Sequence, residues 1–194
     1  MLLGAISIVI GYLLGSIPSA YIMSKVRKGI DIREVDTRNM GAGSTFRQIG
    51  IWEGFVVFAV DAGKGAGAVL IAQALGVSQP FVLAAGFAAI LGHSYPFAIG
   101  FRGGQGVATI MGIFFVLAPE VMLIMLGLLG LALLLTRHIF SMTCIAAPFL
   151  PLLIWLFDKS VMLLCYSLVV IAFVLFRNLH RLKEFHLIAN KQKK

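Results

Sequence analysis

Apolar runs long enough to cross a lipid bilayer, separated by short polar segments, make up most of this chain. A helix needs about 20 apolar residues to span the hydrocarbon core, and the N-terminal run alone extends over residues 2–24. Of the 194 residues, 60% are hydrophobic and 12% are charged, whereas soluble domains average about 45–50% and about 25%. A soluble fold has no interior that could bury so much apolar surface. The sequence therefore predicts an all-α integral membrane protein.

The runs predict one membrane domain, residues 1–194, folded as a single bundle of about seven helices, some of them short. Pro119 divides the longest run in two, because proline suits a helix start and disfavours a helical conformation at the residue before it. If that region is organised differently, the chain has five or six spans. The predicted spans are 2–24, 52–75, 81–97, 107–118, 120–135, 142–156 and 161–176, followed by a basic cytoplasmic tail, 177–194.

The formal net charge of +8 is distributed unevenly between the two sides of this bundle. With seven spans, nearly all lysines and arginines fall on one side, and the opposite turns hold only Lys159. The positive-inside rule then predicts a multi-pass protein with its N-terminus outside and its C-terminus in the cytoplasm. A basic chain could also bind nucleic acid, but no basic surface interleaved with aromatic residues accompanies the charge. We expect no nucleic-acid partner, and we expect the basic side to face anionic lipid or phosphorylated substrates.

The polar segments fall on the predicted cytoplasmic side, and the most distinctive is Arg102–Thr109, RGGQGVAT. Gly103, Gly104 and Gly106 would let backbone N–H groups approach a ligand closely, and the apolar helix that follows would offer its positive end. Arg102 adds a full charge. This pattern is typical of a phosphate cradle; the alternative is a flexible glycine loop that joins two spans.

A second segment, Asn39–Arg47 (NMGAGSTFR), repeats the same chemistry. Gly41 permits close approach, Asn39 and Ser44 offer hydrogen bonds, and a guanidinium such as that of Arg47 can bind phosphate through two nitrogens. The alternative is a basic loop at the membrane interface.

Three further polar residues lie within or at the end of apolar runs. His93 could act as an acid or base near neutral pH or be a structural residue. Asp61 and Lys64 lie three positions apart, so they share a helix face and can pair. Because both would be costly against lipid, their face is predicted to point into the bundle, either as a structural pair or as part of a functional site.

Four motifs, in this order and with these separations, resemble the PlsY family: GSIPS at 15–19, NMGAGSTFR at 39–47, DAGKG at 61–65 and GHSYPFAIGFRGGQGVAT at 92–109. The resemblance covers essentially the whole chain. Members are bacterial integral-membrane glycerol-3-phosphate acyltransferases with seven spanning helices and a site open to the cytoplasm. The resemblance implies acyl transfer from acyl phosphate to the sn-1 hydroxyl of glycerol 3-phosphate in the bacterial inner membrane. The products would be lysophosphatidic acid and phosphate, and no metal or cofactor would be needed.

The same resemblance implies the site residues. Those expected to act in catalysis are Arg47, His93, Asn39 and Ser141. Those expected to bind substrate phosphate are Arg102, Gly103, Gly104, Gln105, Gly106, Thr109, Gly41, Ser44, Ser16, Ser19 and Asn178.

The chain also departs from the family pattern. Gln105 stands where the family has a lysine, and Cys144 lies where a serine is expected near Ser141. The middle motif departs at Asp36, Thr37, Arg38, Gly43 and Ser44. The alternative function is therefore a catalytically weakened paralogue that binds lipid or phosphate in the membrane, or that uses a different acceptor.

Overall fold

The computed structural model describes residues 1–35, 40–136 and 145–191, and the side chains within them up to residue 177 except that of Thr136. No strand occurs within these ranges. The α-helices are α1 Leu2–Gly15, α2 Ser19–Lys28, α3 Ile32–Val35, α4 Ala42–Gln48, α5 Ile51–Ala74, α6 Gln79–Ser94, α7 Val107–Leu117, α8 Pro119–Thr136, α9 Phe149–Leu153 and α10 Val161–Lys191. A 3₁₀ turn, Phe97–Ile99, follows α6, and a π-helical turn, Ile154–Asp158, follows α9.

Seven helical segments within these ranges are apolar. Three of them, Leu2–Lys28, Ile51–Ala74 and Gln79–Ile99, are long enough to cross a bilayer by length and composition. The four shorter ones are Val107–Leu117, Pro119–Leu135, Phe149–Asp158 and Val161–Arg177. Large apolar side chains such as Leu13, Leu70, Leu134 and Trp155 are exposed on the outside of the bundle, where lipid would cover them. The predicted fold class is confirmed.

The first span differs from the continuous helix predicted over residues 2–24. It breaks at Ser16–Pro18 and resumes as α2 until Lys28, because proline cannot donate the helical hydrogen bond and its ring clashes with the preceding turn. The break leaves the Ile17 carbonyl accessible to a side chain from another helix, and that contact helps to build the site described below.

The C-terminal end also differs from the prediction. The last helix does not end at 176, because α10 continues without interruption to Lys191; the basic cytoplasmic tail from 177 stays a prediction. Of the predicted span 142–156, residues 142–144 lie outside the described residues.

Glycines set the distance between the central helices. A Cβ atom at Gly65 of α5 would collide with the Thr109 carbonyl of α7, and one at Gly112 of α7 would collide with the Ala62 carbonyl of α5. Such close backbone contact is how helices associate in lipid, where no hydrophobic effect drives them together. On the other side of the bundle, α1 packs along α6 through Gly11 and Gly15.

Candidate active site

A buried ionic cluster joins the broken first span to α5 and α6. Ser19 Oγ donates a 2.5 Å hydrogen bond to Asp61 Oδ1, and Lys64 Nζ lies 2.8 Å from the same oxygen. Lys64 Nζ also donates to the Ile17 carbonyl at 3.0 Å. His93 Nδ1 lies 3.5 Å from Asp61 Oδ1. Asp61 and Lys64 are 1% and 6% exposed, so their shared face points inward, and pairing offsets the cost of burying each charge.

The end of α6 and the segment after it, residues 93–104, fold back on themselves as a hairpin. The Gly103 N–H donates to the Ser94 carbonyl at 3.1 Å, and the Gly104 N–H donates to the His93 carbonyl at 3.1 Å. A Cβ atom at Gly104 would collide with His93 Nε2, so the imidazole packs directly on the glycine backbone. The two N–H groups predicted to bind phosphate are thus engaged within the hairpin. The structure shows a packing role for both glycines, and their contribution to phosphate binding stays a prediction.

The donors available for an anion lie slightly further along the chain. Gly106 has a φ of +82°, a conformation that glycine adopts without strain, and it is the residue before α7. The first N–H groups of a helix have no partner within it, and they form its positive end. Thr109 belongs to this first turn and is fully buried. Its hydroxyl has no hydrogen-bond partner among the described residues.

A cavity of about 560 Å³ opens beside this turn, between α4 and α5 on one side and α7 and α8 on the other. Most of its wall is apolar and includes Phe55, Met111, Leu129 and Leu133. Its polar lining side chains are those of Asp61, His93 and Gln105. The volume lies within the range of small-molecule sites, about 300–1,000 Å³.

Three buried atoms of that polar lining lack hydrogen bonds. They are Asp61 Oδ2, His93 Nδ1 and Gln105 Nε2, and none has a hydrogen-bond partner within the described ranges. Buried polar groups in native proteins are nearly always paired. Their gathering along an otherwise apolar cavity indicates a ligand with a polar head and an apolar tail.

Arg177 reaches this region from α10. Its Nη2 donates to three carbonyl oxygens of the hairpin, those of Ser94 at 3.3 Å, Gly103 at 3.3 Å and Gly104 at 3.1 Å. The guanidinium carbon lies 4.6 Å from the centroid of the Tyr95 ring, a cation–π arrangement. The sequence predicts that Arg177 lies in the tail. No local pattern marks it, since it follows an apolar run like many basic residues at membrane interfaces.

The predicted site residues occupy different positions relative to the cavity. Those that line it are Gly41, His93, Gln105 and Gly106. Ser19 and Gly103 lie on the other side of His93, around a second, water-sized cavity of about 10 Å³. Ser16 lies between the two halves of the first span, and its hydroxyl donates to the Tyr12 carbonyl at 2.8 Å, which ties it into the first span.

The other predicted residues that the structure describes are not part of the cavity wall. Arg47, in the last turn of α4, and Arg102, in the hairpin, are both exposed, while Ser44 is buried in the first turn of α4. Asn39, Ser141 and the side chain of Asn178 lie outside the described residues.

A second ionic contact ties the loop before α3 to the 3₁₀ turn. Arg33 lies 2.6 Å from Asp31 and donates to the Ile99 carbonyl at 3.1 Å, with its guanidinium 4.9 Å from the Tyr21 ring centroid. Hydrogen bonds from Arg33 lower the pKa of Asp31 to about 2, against a smaller opposing effect of burial. Asp31 therefore stays ionised throughout the physiological range.

The sequence model of the family described as glycerol-3-phosphate acyltransferase matches residues 5–185. The chain belongs to this family. A glycerol-3-phosphate acyltransferase of Parasynechococcus marenigrum (strain WH8102) is 40% identical over 185 residues, covering 95% of this chain and 86% of that protein. One from Thermosynechococcus vestitus is 36% identical, covering 92% and 89%.

Solved structures of family members share the fold. A crystal structure of PlsY (YgiH), an integral membrane glycerol 3-phosphate acyltransferase, in its glycerol 3-phosphate form superposes with a TM-score of 0.87 at 30% identity, covering 95% of this chain and 92% of that one. The lysophosphatidic acid form gives a TM-score of 0.84 at 28% identity. The resemblance to the PlsY family that the four motifs predicted is confirmed.

Proposed function

We propose that this protein transfers an acyl group from acyl phosphate to the sn-1 hydroxyl of glycerol 3-phosphate, giving lysophosphatidic acid and inorganic phosphate. One observation carries the proposal: the lining of the apolar cavity holds three buried polar atoms, from Asp61, His93 and Gln105, that have no hydrogen bond among the described residues. A fatty acyl phosphate has the matching shape, a hydrocarbon tail joined to a polar head. Family membership and the glycerol 3-phosphate form of the solved relative support the acceptor.

In the proposed reaction, the acceptor oxygen attacks the acyl carbonyl carbon. A new ester C–O bond forms, the C–O bond to phosphate breaks, and the proton of the hydroxyl ends on the departing phosphate. Because acyl phosphate is already activated, the reaction requires no covalent nucleophile from the protein. The protein's contribution would be to orient the two substrates and to stabilise their negative charge with fixed donors.

The residues divide into two proposed groups. The cavity residues His93 and Gln105, with the N-terminus of α7, would contact the reacting head group. The exposed cations Arg47 and Arg102 would attract the phosphorylated acceptor from the water side, since like-signed charges around a cleft raise the local concentration of an oppositely charged substrate. Asn39, Ser141 and Asn178 remain proposed site residues on the strength of the resemblance alone.

We also propose that the site opens to the cytoplasm of a bacterial cell, with the N-terminus outside and the C-terminus inside. The charge distribution supports this orientation. This orientation is tested by labelling single cysteines from either side of the membrane. One cysteine is introduced after residue 25 and another at Lys159, in a variant whose natural cysteines are replaced.

The reaction itself is tested with the purified full chain in lipid vesicles. Palmitoyl phosphate and ¹⁴C-labelled glycerol 3-phosphate are supplied, and labelled lysophosphatidic acid is separated from the acceptor. Palmitoyl-coenzyme A replaces the acyl phosphate in a parallel reaction. Product from acyl phosphate alone supports the proposal, whereas product only from the thioester contradicts the donor assignment.

Gln105 favours a second candidate, a weakened paralogue or one with another acceptor, because its neutral amide lies at the polar lining of the cavity. A charged hydrogen bond to phosphate contributes about 1.5–3 kcal/mol, more than a neutral one. No product with glycerol 3-phosphate, together with product from another polyol phosphate or with saturable lipid binding alone, would favour this candidate.

A further inference from the structure

Three carbonyl oxygens of the hairpin point at one nitrogen of Arg177. The carbonyls of Ser94, Gly103 and Gly104 all lie within 3.3 Å of Nη2. Oxygens so close together repel one another and would make this side of the hairpin negative. The guanidinium compensates that negative potential, and its stacking on Tyr95 holds it in place.

The orientation of each carbonyl fixes the N–H group on the other side of the same peptide plane, because a trans peptide is planar and its C=O and N–H point in opposite directions. The N–H that follows the Ser94 carbonyl belongs to Tyr95 and donates to Leu91, and the one that follows the Gly103 carbonyl belongs to Gly104 and donates to His93. The N–H that follows the Gly104 carbonyl belongs to Gln105. It has no hydrogen-bond acceptor among the described backbone contacts.

We propose that Arg177 is a positioning residue that holds the Gly104–Gln105 peptide with its N–H directed towards the cavity, where it binds a phosphate oxygen of a substrate. This inference rests on the proposed function. Gln105 and Gly106 line the cavity, whereas Arg177 is not among its lining residues, and α7 begins two residues after Gln105. Gln105 Nε2, a buried donor that has no hydrogen-bond partner among the described residues, independently indicates that a ligand acceptor belongs there.

Without the guanidinium, the Gly104 carbonyl loses its partner and the peptide can rotate. Glycine at 104 makes rotation easy, since it has no side chain to restrict the backbone. A rotated peptide would present an oxygen to the phosphate instead of an N–H. The contact makes α10 part of the phosphate site although its Arg177 side chain does not line the cavity.

The test compares Arg177→Met with Arg177→Lys in the full chain in vesicles, with Arg27→Met as the matched control. Arg27 is a cation of the same basic side, but its side chain is 61% exposed and it pairs only with Glu53 within the described ranges. Losing one hydrogen bond to a charged group corresponds to a change of about 10-fold or more. We expect Arg177→Met to raise the KM of at least one phosphorylated substrate about 10-fold or more, with kcat within about 3-fold, as for lost ground-state binding.

Arg177→Lys keeps a donor for the carbonyls, and we expect it to recover most of the affinity, while Arg27→Met leaves KM unchanged. Varying acyl phosphate and glycerol 3-phosphate separately identifies which phosphate uses the Gln105 N–H. An unchanged KM in Arg177→Met overturns the inference, and so does a lysine variant as impaired as the methionine variant. If Arg177→Met does not fold, Tyr95→Leu, which removes the stacking ring, takes its place with the same expected direction.

Binding of inorganic phosphate, followed by ³¹P NMR line broadening, separates this inference from the proposed function. A wild-type protein that produces no lysophosphatidic acid but binds phosphate, with affinity about 10-fold weaker in Arg177→Met, refutes the reaction and supports the role of Arg177. If the wild type produces lysophosphatidic acid but the phosphate affinity of Arg177→Met is unaltered, the proposed reaction is supported and the role of Arg177 is refuted. Neither turnover nor phosphate binding in the wild type refutes both.

Discussion

Replacing Lys64 with methionine removes one charge from the buried cluster and leaves the carboxylate of Asp61 without its lysine partner. Methionine is about as long as lysine and apolar, so the packing volume is largely kept. The change removes the 2.8 Å contact with Asp61 and the 3.0 Å hydrogen bond to the Ile17 carbonyl. Since both charged side chains are less than 5% exposed, water cannot solvate the carboxylate that remains.

Removing one partner of a buried ion pair costs about 3–5 kcal/mol, whereas replacing both often costs little. At about 2–4 °C per kcal/mol for a chain of this size, we expect Lys64→Met to lower the unfolding midpoint by about 6–20 °C. The double variant Asp61→Asn/Lys64→Met removes the orphaned charge but keeps an acceptor for Ser19. We expect it to recover more than half of the lost stability.

The assay is thermal unfolding in detergent micelles followed by size-exclusion chromatography, with Arg27→Met as the control for an exposed pair worth under about 1 kcal/mol. Losses that simply add in the double variant would refute the reasoning, because non-additivity is the signature of a direct interaction between two residues. A Lys64→Met midpoint within 2 °C of the wild type would refute it as well, because a shift of about 2 °C corresponds to a loss of only about 1 kcal/mol.

Three further predictions concern the hairpin, the cavity and the loop before α3. Gly104→Ala should reduce turnover at least about 10-fold, because its Cβ displaces the His93 ring, whereas Gly63→Ala, where a Cβ meets nothing within 4 Å, should leave turnover unchanged; equal activities would contradict the packing role. Gln105→Lys should lower the KM for glycerol 3-phosphate by adding a charge at the cavity, and a higher or unchanged KM in steady-state assays would place Gln105 away from the phosphate. The Asp31–Arg33 pair should stabilise the fold above about pH 4 and lose this effect as the pH falls through about 2, because folding lowers the pKa of Asp31 from 3.8 to about 2; the midpoints of wild type and Asp31→Asn should therefore converge on acidification, and a constant difference would contradict this.

Features that depend on local sequence could be predicted well. Hydropathy marks a membrane span over a single run of residues, so the seven apolar segments follow from the sequence alone. Asp61 and Lys64 were predicted to face inward because charge in an apolar run has few other places to go, and the structure agrees. The break at Ser16–Pro18 was missed, since GSIPS also reads as the end of a span.

Features that depend on long-range contact could not be predicted. The glycines at 103 and 104 fit a phosphate cradle by pattern, and only the fold shows that their N–H groups close the hairpin. Arg177 contacts residues more than 70 positions earlier in the chain. Many arginines at the end of an apolar run face lipid head groups, so nothing in the sequence distinguishes this one.

The wall of the large cavity has a consequence for how the protein would meet a lipid-like substrate. Phe55, Leu126 and Leu133 line the cavity and are 54%, 39% and 39% exposed. In a bilayer, exposed apolar side chains of this wall would meet lipid tails. A ligand with a hydrocarbon tail that arrives through this wall diffuses within the plane of the bilayer and not through bulk water. The reaction rate should then depend on the mole fraction of that ligand in the membrane. Adding inert lipid should slow the reaction even when the total concentration of the ligand in the sample is held constant.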